Sequence, residues 1–149
     1  MLQVGDMVPE FSLPNQDGTM ISPAEFKGKK MVIYFYPKDN TPGCTTEACG
    51  FRDVYDEILA KGAVVLGISK DSTTSHTKFR DKFELPFHLL SDVETTTIQA
   101  FGAWGEKKMC GKTYMGIIRS TFVVDENGVI IQAYPKVNTK THAAEILAA

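Results

Sequence analysis

The sequence lacks a dominant charge: 16 basic residues face 18 acidic ones, for a formal net charge of -2. Without a clustered basic face it has no electrostatic footprint for nucleic acid or for an anionic membrane surface. Long apolar runs are missing too. Stretches such as Met31–Tyr36 fall far below the roughly 18–20 residues of a membrane-crossing helix. The start, Met1 to Asp6, shows neither the basic stretch nor the apolar core of a secretory leader, so the expected location is the cytoplasm, or an organelle after processing. Cysteine is scarce. Cys44, Cys49 and Cys110 cannot all pair within one chain and are too few for a secreted disulfide framework. There is no CxxC, HxxxH, GxGxxG or phosphate-binding loop, which argues against a zinc site, a dithiol oxidoreductase motif and a nucleotide. His76, His88 and His142 are scattered. Each is expected on the surface or partly buried, and none is placed to make a Cys–His protease with Cys44.

What is present is one domain's worth of chain, residues 1–149, with 43% hydrophobic and 23% charged residues. Asp17-Gly18 lies between short apolar pieces and signals a hairpin. Ser22-Pro23-Ala24-Glu25 has the form of a capping box that opens a short helix ending before Gly28. Met31–Tyr36 and Ala63–Ser69 are continuous and apolar, as strands buried on both faces are. Between them, Ala48, Phe51, Tyr55, Ile58 and Leu59 recur at helical spacing over Thr45–Lys61. Glu47, Arg52, Asp53, Asp56 and Glu57 are assigned to the opposite, polar face, and Gly62 is the stop.

Further on, Ser72 caps a polar helix to Phe83. Phe87–Leu90 is a short strand and Val93–Phe101 a third helix. Thr121–Val124 and Val129–Tyr134 form a hairpin, and Thr141–Ala149 a last helix. Strands alternating with helices predict an α/β fold with a mixed central sheet, parallel in its core and closed by an antiparallel edge. Phe101 and the single Trp104 are expected to pack in the core or at its rim.

The corner after the first buried strand carries the chemistry. Pro37-Lys38-Asp39-Asn40-Thr41-Pro42-Gly43 leads into a helix whose first turn holds Cys44, at the carboxyl end of a strand, where α/β sheets bind ligands. An ordinary thiol is only about 3% thiolate at pH 7, and the thiolate is the nucleophile. A helix N-terminus offers unpaired N–H groups and roughly half a positive charge, both of which favour the anion. Cys44 could instead be a small buried residue, as many free cysteines are. The Pro, Thr, Pro and Gly packed just before it argue for a reactive role.

Pro37-x3-Thr41-x2-Cys44 resembles the active-site signature of the peroxiredoxins. Cys44-Thr45-Thr46-Glu47-Ala48-Cys49 resembles the Q-type, or bacterioferritin-comigratory-protein, subfamily, as do Gly67-Ile68-Ser69-Lys70-Asp71, Leu89–Asp92 and Arg119-Ser120-Thr121-Phe122. The resemblance runs from about Gly5 to Tyr134. It implies a single thioredoxin-like domain and a thiol-dependent peroxidase for hydrogen peroxide and organic hydroperoxides, with no metal, haem or flavin. Cys44 would be the attacking thiolate, oxidised to a sulfenic acid. Arg119, the Thr41 hydroxyl and backbone N–H groups near Cys44 would donate to the departing oxygen. Pro37, Thr41, Gly43 and Arg119 would line the substrate. Cys49 would resolve the sulfenic acid as a Cys44–Cys49 disulfide, reduced by thioredoxin or a similar dithiol, in a protein expected to be monomeric.

Spacing constrains that last step. On a regular helix, residues five apart have Cα atoms about 8.6 Å apart, whereas a disulfide needs about 7 Å or less. The helix must therefore open before the bond can form. Cys110, in Glu106–Lys112, departs from the family's usual aromatic and is expected to be an incidental surface thiol in a lysine-rich loop. A non-enzymatic redox sensor using the same thiolate is the competing reading; catalytic turnover with a dithiol system distinguishes the two.

Overall fold

In the computed structural model, which describes residues 1–148, the chain begins with the small hairpin β1 (Leu13–Pro14) and β2 (Met20–Ile21). Asn15 builds its turn, the side-chain Oδ1 accepting from the backbone N–H of Asp17 (2.9 Å) and Thr19 (3.0 Å). A 3-10 turn over Pro23–Phe26 follows, and Glu25 reaches back to the N–H of Ser22 at 2.7 Å. Next come β3 (Lys30–Phe35), α1 (Pro42–Ala60), β4 (Ala63–Ser69) and α2 (Thr73–Phe83), in which Ser72 accepts from Ser75 N–H at 3.1 Å. The chain continues through β5 (His88–Ser91) and the short α3 (Thr96–Ala100). Then follow β6 (Trp104–Met109), β7 (Lys112–Ile117), β8 (Ser120–Val124), β9 (Ile130–Tyr134) and α4 (His142–Ala148). Ala149, assigned to the last helix from its pattern, lies outside the described residues.

The central sheet has the order β5-β4-β3-β8-β9, with β3, β4 and β5 parallel and β8 and β9 antiparallel to their neighbours. This is the expected mixed sheet. Period-2 alternation along β3 divides the core between its two faces. Val32, Tyr34 and Tyr36 pack with Cys44, Ala48, Phe51 and Ile58 of α1, Phe79 of α2 and Ile146 of α4. Met31, Ile33 and Phe35 pack on the other face with Phe11, Ile98, Phe101 and Ile117, and Trp104 joins them at the rim. Among the described residues, no helix is long and apolar enough to cross a membrane.

Two expectations are corrected. Glu106–Lys112, read as a lysine-rich loop, lies within the antiparallel β6–β7 hairpin. Its turn is Cys110-Gly111, both at positive φ (51° and 77°), which matches the twist of a two-residue hairpin loop. Charged residues along β6 hid the alternation. The third helix is also shorter than Val93–Phe101, because Asp92 Oδ2 takes the N–H of Ile98 (2.7 Å) and holds the preceding residues in a turn.

Tyr34 lies directly across from Gly67 in the β3–β4 register, and a Cβ at Gly67 would stand 2.9 Å from its ring and hydroxyl. Gly67→Ala is therefore expected to overpack the core by about 1–3 kcal/mol, a fall in Tm of roughly 3–10 °C. A variant that melts with wild type would show that Tyr34 has room to move.

Candidate active site

Strand β3 delivers the chain at its carboxyl end into the loop before α1. Thr41 is the extended N-cap residue (φ -95°, ψ 157°), Pro42 takes the first helical position, and Cys44 is the third. The first full helical bond runs from Thr45 N–H to Thr41 C=O at 2.8 Å. Gly43 and Cys44 precede it, so their N–H groups have no carbonyl of the helix to bond. They stand at the positive end of a 19-residue helix. Cys44 itself is 1% exposed, packed among Tyr34, Ala48 and Phe51.

Arg119 reaches this sulfur from the short link between β7 and β8. Its Nη2 donates to Cys44 Sγ at 3.1 Å, and its Nη1 donates to Glu47 Oε1 at 2.7 Å. One guanidinium thus spans a sulfur and a carboxyl on the same helix face, three residues apart. Gly43 makes room for it, since a Cβ there would lie 3.3 Å from Nη2. Burial works against the charge of Arg119, but Cys44 and Glu47 outweigh it and hold the guanidinium above its ordinary range. Burial pushes the Glu47 carboxyl up to about 7, against the pull of Arg119. Glu47 Oε2 and the Tyr34 hydroxyl are buried and have no hydrogen-bond partner among the described residues. Burial, then Glu47 and Cys44, raise Tyr34 well above its usual range, which keeps it neutral. Lys107 Nζ, bonded to Ile117 O at 2.8 Å, sits in the field of Arg119 and Cys44; burial, then Arg119, lower it.

Of the residues expected at the site, the structure brings Cys44, Arg119 and Gly43 together, with Thr41 at the N-cap and half-buried Pro37 opening the loop. Cys49 is half-buried further along an unbroken α1, and both it and Cys44 are free thiols. Cys110 is exposed in the β6–β7 turn. Thr41, expected to donate to substrate, has its Oγ1 bonded to Lys38 O at 2.8 Å. Two readings need correction. Glu47, assigned to the polar helix face, has a fully buried side chain. It follows Cys44 at i+3 beside Ala48 and Phe51, the stripe that could have revealed it. His76 and His142, expected on the surface or partly buried, are fully buried at 0% and 1% exposure.

A cavity of about 840 Å³ opens at the other end of β3, beside Met7, Phe26 and Met31, and is lined by no residue of this cluster. The cysteine cluster sits at a closed helix mouth and not in that hollow.

The model of the AhpC/TSA family matches residues 4–133. A putative peroxiredoxin Bcp of Coxiella burnetii is 51% identical, over 98% of this chain and 97% of its own length. The chain belongs to the AhpC/TSA family, as a peroxiredoxin of the Bcp/Q kind. Solved relatives agree. A cysteine-to-serine variant of Xylella fastidiosa PrxQ superposes with a TM-score of 0.94 at 34% identity, over 99% of this chain and 94% of that one. The Xanthomonas campestris bacterioferritin comigratory protein, described with trapped-intermediate and ligand complexes for its alkyl peroxide reduction activity, gives 0.89 at 40% identity, over 96% of each chain. The mixed sheet flanked by helices is the thioredoxin-like fold of these peroxiredoxins, and the enzyme is a thiol-dependent peroxidase.

The buried carboxyl of this peroxiredoxin has a measurable signature. Glu47 is raised from 4.5 to about 7 on folding, so the folded state favours its protonated form. That contribution to stability is complete below the unfolded value and is lost as pH rises through the folded one. The urea midpoint of wild type is expected to fall relative to Glu47→Gln between about pH 5 and about pH 8. Midpoints that stay parallel across that range would mean the carboxyl is not held protonated by burial.

Proposed function

We propose that Cys44 is the peroxidatic thiolate, that Arg119 and the first N–H groups of α1 stabilise the departing oxygen, and that Cys49 resolves the product. The observation that carries this reading is the 3.1 Å bond from Arg119 Nη2 to Cys44 Sγ at the helix mouth. The thiolate attacks the terminal oxygen of a hydroperoxide. A sulfur lone pair forms the new S–O bond of a sulfenic acid, the O–O bond breaks, and its electron pair leaves on an alkoxide or hydroxide that takes up a proton. Arg119 and the free N–H groups face the reacting centre as fixed donors. The Thr41 oxygen, an acceptor because its hydrogen goes to Lys38 O, takes the hydrogen bond of the hydroperoxide and aims its terminal oxygen at the sulfur. Pro37 and Gly43 complete the wall.

The Cys49 thiolate then displaces hydroxide from the sulfenic sulfur, which leaves as water, and thioredoxin or a similar dithiol reduces the disulfide. A monomer in the cytoplasm suffices for every step. Alkyl hydroperoxides join hydrogen peroxide as substrates, a reading supported by the alkyl peroxide reduction described for the Xanthomonas relative.

Cys44→Ser is expected to abolish peroxide consumption in a thioredoxin-coupled assay, and residual turnover near wild type would end the assignment. Cys49→Ser keeps the first oxidation but loses recycling; unimpaired recycling would make another thiol the resolving one. Arg119→Ala removes one oriented cation and should slow sulfenic acid formation by roughly 10²–10³-fold. An unchanged rate in rapid-mixing experiments would mean that the guanidinium serves Glu47 alone.

A further inference from the structure

The richest buried polar cluster outside the cysteine site lies just behind it, around Asp39, Asp71 and His76. Their ligand-type atoms sit within 4.8 Å of one another, but protein donors already serve the oxygens that face inward. Asp39 Oδ1 accepts from Tyr36 OH at 2.6 Å, and Oδ2 accepts from Ser75 Oγ at 2.8 Å. Oδ2 also faces His76 Nδ1 at 2.7 Å, while His76 Nε2 faces Leu90 O at 3.0 Å. Both ring nitrogens thus face oxygens, and the imidazole is held between the Asp39 carboxyl and the Leu90 carbonyl. The ring is wholly buried. Tyr36, just past β3, and Ser75 and His76 of α2 thus converge on the side chain of one loop residue, and His76 is anchored in turn to β5.

The backbone of that residue shows what the convergence does. The N–H of Asp39 donates to Asp71 Oδ2 at 2.9 Å. The same peptide group presents the carbonyl of Lys38, which accepts from Thr41 Oγ1 at 2.8 Å. One peptide plane is therefore pinned from both sides, by a carboxylate on its N–H and by the threonine hydroxyl on its C=O. Asp71 is fixed in turn by Ser69 Oγ, which donates to the same Oδ2 at 2.7 Å, and by Ser91 Oγ, which donates to its carbonyl.

We propose that the Asp39–Asp71–His76 cluster is a positioning device for Thr41, orienting and polarising the Lys38–Asp39 peptide so that the Thr41 hydroxyl gives its hydrogen inward and its lone pair to the hydroperoxide. This rests on the reading of Thr41 as the acceptor for substrate. A carboxylate on the N–H of a peptide makes its carbonyl a stronger acceptor. A hydroxyl that donates to a stronger acceptor is itself a better acceptor, since chains of hydrogen bonds polarise one another. The direction of the chain also matters. If Lys38 O turned away, the Thr41 hydrogen would be free to point at the substrate, and the Thr41 oxygen would no longer be held to accept the peroxide hydrogen.

The test is a double-mutant cycle on the full-length enzyme, following the rate at which hydrogen peroxide oxidises Cys44 by rapid quench and mass spectrometry. Thr41→Val keeps the shape and removes the hydroxyl. Asp71 is only half-buried, so Asp71→Ala is the primary probe, and the near-isosteric Asp71→Asn provides the same comparison should the alanine variant fold poorly. Asp71→Ala is expected to slow oxidation about tenfold in the wild-type background, but by less than about twofold in the Thr41→Val background. Asp71→Asn should fall between Asp71→Ala and wild type. Alkylation of Cys44 by iodoacetamide, which needs the thiolate but no acceptor for a peroxide proton, should change by less than about twofold. Equal losses in both backgrounds, or a parallel loss of alkylation, would reduce the cluster to general scaffolding and overturn the proposal. So would an unchanged oxidation rate in Asp71→Ala when Thr41→Val is slow. A Thr41→Val enzyme as fast as wild type would refute the acceptor role of Thr41 itself, a separate failure that takes the clamp with it.

Discussion

One guanidinium shared between a sulfur and a carboxyl constrains the rest of this site. Arg119 holds Cys44 Sγ with Nη2 and Glu47 Oε1 with Nη1, so the fork geometry of arginine fixes its plane against α1. A lone hydrogen bond to sulfur would leave that plane free to rotate. The cost falls on Glu47, buried with one oxygen unpaired and its carboxyl raised to about 7. Gly43 is small because Nη2 lies against it, and Gly67 is small because Tyr34 does. The aromatic floor under the sulfur, Tyr34 against Phe51 at 5.0 Å and Tyr36 at 5.4 Å, is rigid enough to hold α1 at the height at which Arg119 can reach both of its anchors.

The same contacts set the conditions for the proposed disulfide. An intact α1 keeps Cys44 and Cys49 apart in angle and height, with fully buried Ala48 and Phe51 flanking the second sulfur. Opening the first turns breaks both bonds of Arg119 and exposes Ala48. It also returns the Glu47 carboxyl to water, where it ionises freely, and this offsets part of the loss above neutrality. Where opening stops is also built in. Gly50 lies against Ala143 of α4, with only 3.3 Å available to a Cβ, and Phe51 stacks edge-on against His142 at 5.8 Å. His142 in turn bonds Thr121 of β8 at 2.8 Å. The C-terminal helix thus secures α1 from Gly50 onward, and the cysteine-bearing turns are held from outside by Arg119.

Much of this was legible in the residues. Strands β3, β4, β8 and β9, the caps at Ser22 and Ser72 and the stop at Gly62 follow from local rules of period, capping and turn chemistry. Cys44 at a helix entrance and Arg119 ahead of Ser120-Thr121-Phe122 stood out from composition and resemblance. What escaped was tertiary. Glu47 looks like any surface glutamate until Arg119, 72 residues away, supplies the partner that lets a carboxyl be buried beside Cys44. The β6–β7 hairpin escaped because Glu106, Lys107 and Lys108 break the expected alternation, although its base packs against the core through Trp104 and Ile117. His76 gave no sign of burial because its partners, Asp39, Tyr36 and the Leu90 carbonyl, come from other elements.

The role of Thr41 shows most clearly where motif reading ends. The spacing of Pro37, Thr41 and Cys44 places a hydroxyl beside a thiol but cannot say which way its hydrogen points. A hydroxyl is a donor and an acceptor at once, and the two orientations do opposite chemistry on a hydroperoxide. The choice is made by the Lys38 carbonyl, whose direction is set by the next N–H, which Asp71 holds from the end of the neighbouring parallel strand. Neither Lys38 nor Asp71 needs to touch substrate. The parallel arrangement of β3 and β4 is what brings the two loops together at the carboxyl ends of their strands, so the polarity of a single hydroxyl is a consequence of sheet topology.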